Sequence, residues 1–165
     1  MPSKRTVLGI DPGLNKTGWG VVLIEGNNLR YLDHGVIRPD SKKDLASRLN
    51  TIYSEVSEVI VRLKPTEAAI EETFMNSNPS SALKLGAARA AAMLAPAHAG
   101  IEVSEYGANK IKKAVVGVGH ADKAQIAMMV RRLLPTCPEV KDDAADALAV
   151  AICHANWSPH LRMSC

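Results

Sequence analysis

No stretch of this 165-residue chain comes near the ~20 consecutive apolar residues that a membrane-spanning helix needs. The opening "MPSKRTVLGID" carries two basic residues but no apolar segment before its first acid, which argues against a secretory signal. The expectation is a cytoplasmic protein without a membrane partner. Cysteine is scarce too: Cys137, Cys153 and Cys165 are odd in number and form no C-x-x-C pair. That excludes a disulfide framework and a thiolate zinc site. Cys153 sits in an apolar helical stretch and reads as a small buried hydrophobe, with His154 beside it as a packing or surface histidine rather than a ligand.

What is present is ordinary globular material. Apolar residues make up 47% of the chain and charged residues 22%, enough to bury a core in one domain spanning residues 1–165. The tail after about residue 157 reads as loose. The net charge of +3 is unevenly placed. Between Tyr106 and Leu134, Lys110, Lys112, Lys113, Lys123, Arg131 and Arg132 face Asp122 alone, giving +5 there and leaving −2 for the remainder. A basic segment on an otherwise slightly acidic chain suits a polyanion on one face, or simply a solvated helix face.

The element order follows from periodicity and turn residues. "TVLGID" is a short apolar run closed by Pro12 and Gly13, so Asp11 falls at a strand end. "TGWGVVLIEGNN" and "LRYLDHGVIRP" read as two further strands with a hairpin turn over Gly26, Asn27 and Asn28. From Asp44 the apolar step becomes three and four: Leu45, Leu49, Ile52, Val56, Val59, Ile60 and Leu63 form a helical stripe that Pro65 ends. "TEAAIEE" is a strand, "TFMNSNPS" a polar loop, and "SSALKLGAARAAAMLAPAHAG" an alanine-rich helix whose small residues and Gly86 suit close packing on the sheet or a partner. "IEVSEYG" is a fifth strand. Helices then start near Ala108, run from about Ala121 to Leu134, and close the chain over "KDDAADALAVAICHANW". The result is an α/β domain, a mixed five-stranded sheet of three antiparallel strands followed by parallel ones, flanked by helices.

Acids punctuate this order. Asp11 ends the first strand and Glu71 the fourth, and a crossover can bring those ends to one edge of the sheet. Alternation sends Glu71 and Glu72 to opposite faces, so only one of them can join Asp11. Asp143 and Asp146, three apart, share a helical face, whereas Asp142 lies about 100° around the axis from Asp143. Acids at a helix start are ordinary caps. Four converging carboxylates, by contrast, repel one another unless a hard divalent cation such as magnesium or manganese sits among them. With a basic segment to hold a phosphate backbone, such a site suits phosphodiester hydrolysis.

The blocks "LGIDPGLNKTGWGVV", "AIEETFMNSNPSSALKLGAARA", "VVGVGHADKAQIAMMV" and "DDAADALAVAICH" resemble, in order and spacing from about residue 6 to 156, the RuvC crossover-junction endodeoxyribonucleases, the bacterial Holliday-junction resolvases. The resemblance implies a ribonuclease-H-like fold and a homodimer that cuts two strands of a four-way DNA junction symmetrically with Mg²⁺, Mn²⁺ being able to substitute. It also implies work beside the RuvA–RuvB branch-migration complex in recombination and repair. By match of motif, Asp11, Glu71, Asp143 and Asp146 would be the catalytic, metal-binding carboxylates, leaving Asp142 free to cap. Phe74, the only phenylalanine in the chain, would stack on an unpaired base at the junction centre. Lys112 and Lys123 would touch phosphates at the rim, and the alanine-rich helix from Ser80 would form the dimer face. Competing readings are a one-lobed relative of actin-like or sugar-kinase-like ATPases, a non-catalytic DNA-binding module, and a same-fold nuclease for RNA–DNA hybrids. ATP turnover, indifference to Mg²⁺, and lack of a junction wedge or dimer would mark them in turn.

Overall fold

The computed structural model describes residues 3–72, 78–140 and 142–157. Five strands and five helices follow in the expected order: β1 (Lys4–Asp11), β2 (Thr17–Glu25), β3 (Asn28–Ile37), α1 (Leu45–Leu63), β4 (Glu67–Glu71), α2 (Pro79–His98), β5 (Val103–Tyr106), α3 (Ala108–Val116), α4 (Lys123–Leu133) and α5 (Asp142–Trp157). The sheet runs β3-β2-β1-β4-β5. The first three strands are antiparallel, while β4 pairs in parallel with β1 and β5 in parallel with β4. The crossover through α1 therefore sets β4 beside β1, and both strands end at the same edge.

Local chemistry explains the boundaries. Asp44 caps α1 by accepting from the Ser47 backbone N–H at 3.2 Å. Lys64 closes α1 in the left-handed region (φ 49°), and Pro65 prevents any continuation. The hairpin turn is one residue tighter than expected: Gly26, at φ 60°, and Asn27 make it, and Asn28 already pairs with Glu25. The fourth helix begins at Lys123, not Ala121, because Asp122 takes the N-cap role.

The sheet is covered on both faces, which is why β1 reads as a near-continuous apolar run. Leu8, Ile10, Val21, Ala68 and Ile70 face α1 and α2, where Ile52, Val56, Ala88 and Ala92 complete one core. Val7, Val22, Ala69 and Tyr106 face α5, whose Ala144 to Cys153 run is buried throughout among described side chains, apart from half-buried Asp146, with α3 and α4 closing that side. Helix α5 lies directly on β1 and β2. Three glycines make room for it. A Cβ at Gly9 would collide with the Ala147 carbonyl oxygen, one at Gly18 with the Asp143 carbonyl oxygen, and one at Gly20 with the Leu148 side chain. Gly86 on α2 does not pack on the sheet, since there is open space within the chain where its Cβ would be. Among the described residues no helix is long and apolar enough to cross a membrane.

Candidate active site

Strand alternation puts Asp11 and Glu71 on the sheet face that α5 covers, since they share it with Val7 and Ala69. Because β1 and β4 run parallel, both carboxylates emerge at the same sheet edge. The close approach at Gly18 delivers the first turn of α5 to that edge. Carboxylate oxygens of Asp11, Asp143 and Asp146 come within 4.8 Å of one another. Glu71 stands outside that radius but within electrostatic reach of Asp11 and Asp146. Glu72, one residue past β4, is exposed and outside the group of three acids, and its backbone N–H donates to the Tyr106 carbonyl at 2.8 Å.

The electrostatics are those of acids held together against their repulsion. Burial, and then the charges of Asp146, Glu71 and Asp143, push the Asp11 carboxyl up to about 8, with Lys123 opposing. Burial also raises Glu71, Asp146 adding to the effect while Lys112 and Lys123 reduce it. Such a cluster is stable as fully ionised groups only beside a positive charge. The donor set is all carboxylate oxygen, the ligand type that hard divalent cations take, and no sulfur or imidazole stands within the group of three. The residues therefore fit a divalent metal.

Two lysines complete the surroundings. Lys112 and Lys123 line a cavity of about 460 Å³ together with Glu71 and Asp146. The Lys123 ammonium is 4.0 Å from the Asp146 carboxylate and largely exposed, so it remains open to a phosphate. Its place is set by a reciprocal capping box: Asp122 accepts from the Gln125 backbone at 2.8 Å, and the Gln125 side chain accepts from the Asp122 backbone at 3.0 Å. The Asp-x-x-Gln spacing was there to be read in the sequence. A larger cavity of about 720 Å³ runs from Asp146 and Lys123 along α4 past Met128, Arg131 and Arg132.

Other charged residues prove to be engaged inside the molecule. Arg89 pairs with Glu105 and donates to the Glu71 carbonyl oxygen at 3.4 Å, so it braces the end of β4. Lys110 lies over the rings of Tyr106 and Trp157, at 5.4 and 4.8 Å from their centroids. Arg48 reaches from α1 to the turn after Asp11, donating to the Leu14 carbonyl and to the Asn15 side chain. No short-range sequence signal marks Arg48 or Arg89 for these tasks. Phe74, the capping of α5 by the Asp142 side chain, and the tail beyond residue 157 lie outside the described residues.

A family model described as crossover junction endodeoxyribonuclease RuvC matches residues 7–154. The relative of that name from Caulobacter vibrioides is 55% identical over 150 residues, covering 91% of this chain and 89% of its own. One from Rhizobium etli is 53% identical over 156 residues, covering 94% and 92%. Among solved structures, RuvC from Thermus thermophilus aligns with a TM-score of 0.83 at 36% identity, over 96% of each chain. The same organism's RuvC in complex with a Holliday junction substrate aligns at 0.86, again at 36% identity and 96% of each chain. The yeast mitochondrial Holliday junction resolvase shares the fold at a TM-score of 0.70 and 15% identity, over 99% of this chain and 82% of that one. The mixed sheet and its strand order are thus of the ribonuclease-H-like kind, and the chain belongs to the RuvC family of crossover junction endodeoxyribonucleases.

Proposed function

We propose that this chain is a structure-selective endodeoxyribonuclease that resolves four-way (Holliday) DNA junctions by symmetric, metal-dependent hydrolysis of two phosphodiester bonds, in homologous recombination and DNA repair. The observation that carries the reading is the convergence of Asp11, Asp143 and Asp146 within 4.8 Å at the sheet edge where β4 also ends. In this reading those three and Glu71 are the catalytic carboxylates and hold Mg²⁺, with Mn²⁺ as a substitute of the same oxygen preference. When bound, the cation aligns a water nucleophile and stabilises charge on the leaving oxygen.

The rest is the chain's own work. Lys112 and Lys123 contact the phosphates flanking the cut, and the exposure of Lys123 supports that assignment. Arg131 and Arg132, on the groove that continues from Asp146, are the strongest candidates for holding an adjoining backbone segment. Phe74 stacks on an unpaired base at the junction centre, a contact worth ~1–3 kcal/mol. Residues 1–165 act as one nuclease domain in the cytoplasm, and a homodimer supplies two sites to opposed strands. Exposed Leu83 and Leu94 on α2, with a shallow groove over Leu49, Tyr53 and Ala91, support α2 as the dimer face. The RuvA–RuvB branch-migration complex is the partner that the family implies.

The test is cleavage of a synthetic four-way junction beside linear duplex of the same sequence, by wild type and Asp11→Asn, with Mg²⁺ and with chelator. Paired, ligatable nicks in the junction alone, absent in the variant and in chelator, are the expected result. Tight junction binding without cutting makes the chain a binding module. Equal cutting of both substrates keeps the nuclease and removes the junction selectivity.

A further inference from the structure

At the opposite end of α5 from the acids lies a buried polar chain that metal binding does not use. His154 is 2% exposed, and with Thr17 it is one of two buried polar residues among those described. Its Nε2 is 2.6 Å from Glu67 Oε2 and its Nδ1 is 2.8 Å from the Tyr106 hydroxyl. An ionised carboxylate only accepts, so Nε2 carries the proton, Nδ1 accepts, and the Tyr106 hydroxyl donates. Glu67 is held in turn by Arg5, whose Nε and terminal nitrogen donate to its two oxygens at 2.5 and 2.7 Å. Five elements meet here: β1 through Arg5, β4 through Glu67, β5 through Tyr106, α5 through His154 and Trp157, and α3 through Lys110 over the two aromatic rings.

We propose that His154 is a positioning residue: tied to Tyr106 and Glu67, it fixes how far along β1 and β4 helix α5 sits, and so sets Asp143 and Asp146 against Asp11. The proposal rests on the metal-binding reading of that cluster. The rest of the α5 contact is poorly suited to this task. Its buried face packs Ala147 and Ala151 over Gly9, the Asp143 backbone over Gly18 and Leu148 over Gly20, and these van der Waals contacts lack the directionality of a hydrogen bond. Hydrogen bonds of 2.6 and 2.8 Å do have direction and weaken steeply when bent away from linearity. A helix transmits that constraint rigidly: eight residues separate Asp146 from His154, about 12 Å of axis at ~1.5 Å per residue. Sites of this kind tolerate misplacement of only ~0.5 Å. Tyr106 is also the register partner of Glu71, so the same chain reaches the fourth carboxylate through the sheet.

The experiment is calorimetric titration of the full chain with Mn²⁺, without DNA, on wild type, Tyr106→Phe, His154→Gln and the apolar control Ile152→Val, with melting temperatures measured in parallel. Tyr106→Phe removes one hydroxyl and keeps the ring, so it carries the test should His154→Gln not fold. Coupling at this distance should raise the Mn²⁺ dissociation constant roughly three- to tenfold in both variants, with junction KM unchanged. Ile152→Val, also buried on α5, should lose melting temperature and keep wild-type Mn²⁺ affinity. Wild-type affinity in Tyr106→Phe and His154→Gln, or equal weakening in Ile152→Val, overturns the positioning role while leaving the metal site intact. No Mn²⁺ uptake by wild type overturns the metal reading and this one with it.

Discussion

The two ends of α5 meet the same two strands on the same sheet face, yet they pose opposite electrostatic problems. At the first turn, Asp143 and Asp146 face Asp11 and Glu71, acid against acid, and Asp11 is driven up to about 8. At the last turn, His154 faces Glu67 and Arg5. Burial alone would raise Glu67 as it raises Asp11, but the hydrogen bonds from Arg5 and His154 and the guanidinium charge reverse that and hold it at about 2. Similar carboxyls on neighbouring strands are separated by partners, not by burial. One end is neutralised within the fold; at the other, Lys112 and Lys123 offset the acids only in part, and Asp11 stays raised. That is the usual division between structure and function, in which a site is allowed to be unstable by itself.

The strongest way to break the comparison is to remove an acid from the acid-crowded end. Asp11→Asn should lower junction cleavage at least roughly 100-fold, since residues one shell further from a metal are already worth 10–100-fold. In chelator the same variant should melt at a higher temperature than wild type, because it relieves repulsion at a half-buried site. Nicking rates and melting curves check the two halves. A variant that loses both activity and metal-free stability would show the cluster to be structural.

The seat of α5 gives the next effect. Gly18→Ala places a methyl against the Asp143 carbonyl oxygen, a backbone atom that moves only if the helix does. Overpacking of this kind costs ~1–3 kcal/mol, about 2–4 °C of melting temperature per kcal/mol at this chain length, and should depress Mg²⁺-dependent cleavage as well. Gly86→Ala, with nothing inside the chain within 4 Å of the added methyl, should instead raise the melting temperature by the ~0.5–1 kcal/mol that glycine costs inside a helix, when measured at a dilution that keeps the chain monomeric.

That pair of glycines shows what could and could not be read from the sequence. Strand and helix order followed from periodicity, and the strand-end position of Asp11 from the proline after it, because those signals are local. The convergence of Asp11 with Asp143 and Asp146 could be posed only as a question until motif resemblance narrowed it. Which glycine takes the close approach is decided by what packs above it: local sequence marks Gly86 in its alanine-rich helix, whereas Gly9, Gly18 and Gly20 read as ordinary strand residues until α5 is laid over them. Arg5, Glu67, Tyr106 and His154 are spread over 150 positions of chain and meet only through sheet register. His154 was readable as a packing histidine but its partners were not.

At the satisfied end, Glu67→Gln should destabilise by about 2 kcal/mol, below the ~3–5 kcal/mol of a broken fully buried pair because both side chains are 13% exposed. The double variant Arg5→Met, Glu67→Met should recover much of that loss, since replacing both charges leaves neither uncompensated. Chemical denaturation of the two singles and the double checks this. Additive losses would mean that Arg5 and Glu67 contribute independently and that this end is not one network.

The smallest effect is in pH. Burial lowers the His154 imidazole below its ordinary 6.5, with Glu67 and Glu102 opposing and Arg5 assisting, and the Tyr106 hydroxyl facing it as a neutral donor. The unfolded chain therefore takes up a proton near pH 6.5 that the folded chain refuses until lower pH. The His154 contribution is whole above pH 6.5 and is lost as pH falls through the folded value. Glu67 has the same sign in a lower window, whole above 4.5 and lost as pH falls toward about 2. Asp11 runs the other way in metal-free protein: its raised value favours the fold at low pH and is a liability as pH rises toward 8. A single melting profile would blend the opposed trends, so the useful quantity is the difference between wild type and His154→Gln, which share every acid. That difference in melting temperature should be constant from pH 8 down to about 6.5 and then shrink. A difference that instead grew on acidification would mean that His154 is stabilised as the imidazolium, with Nε2 still donating to Glu67 and the Nδ1–Tyr106 hydrogen bond reversed so that Nδ1 donates.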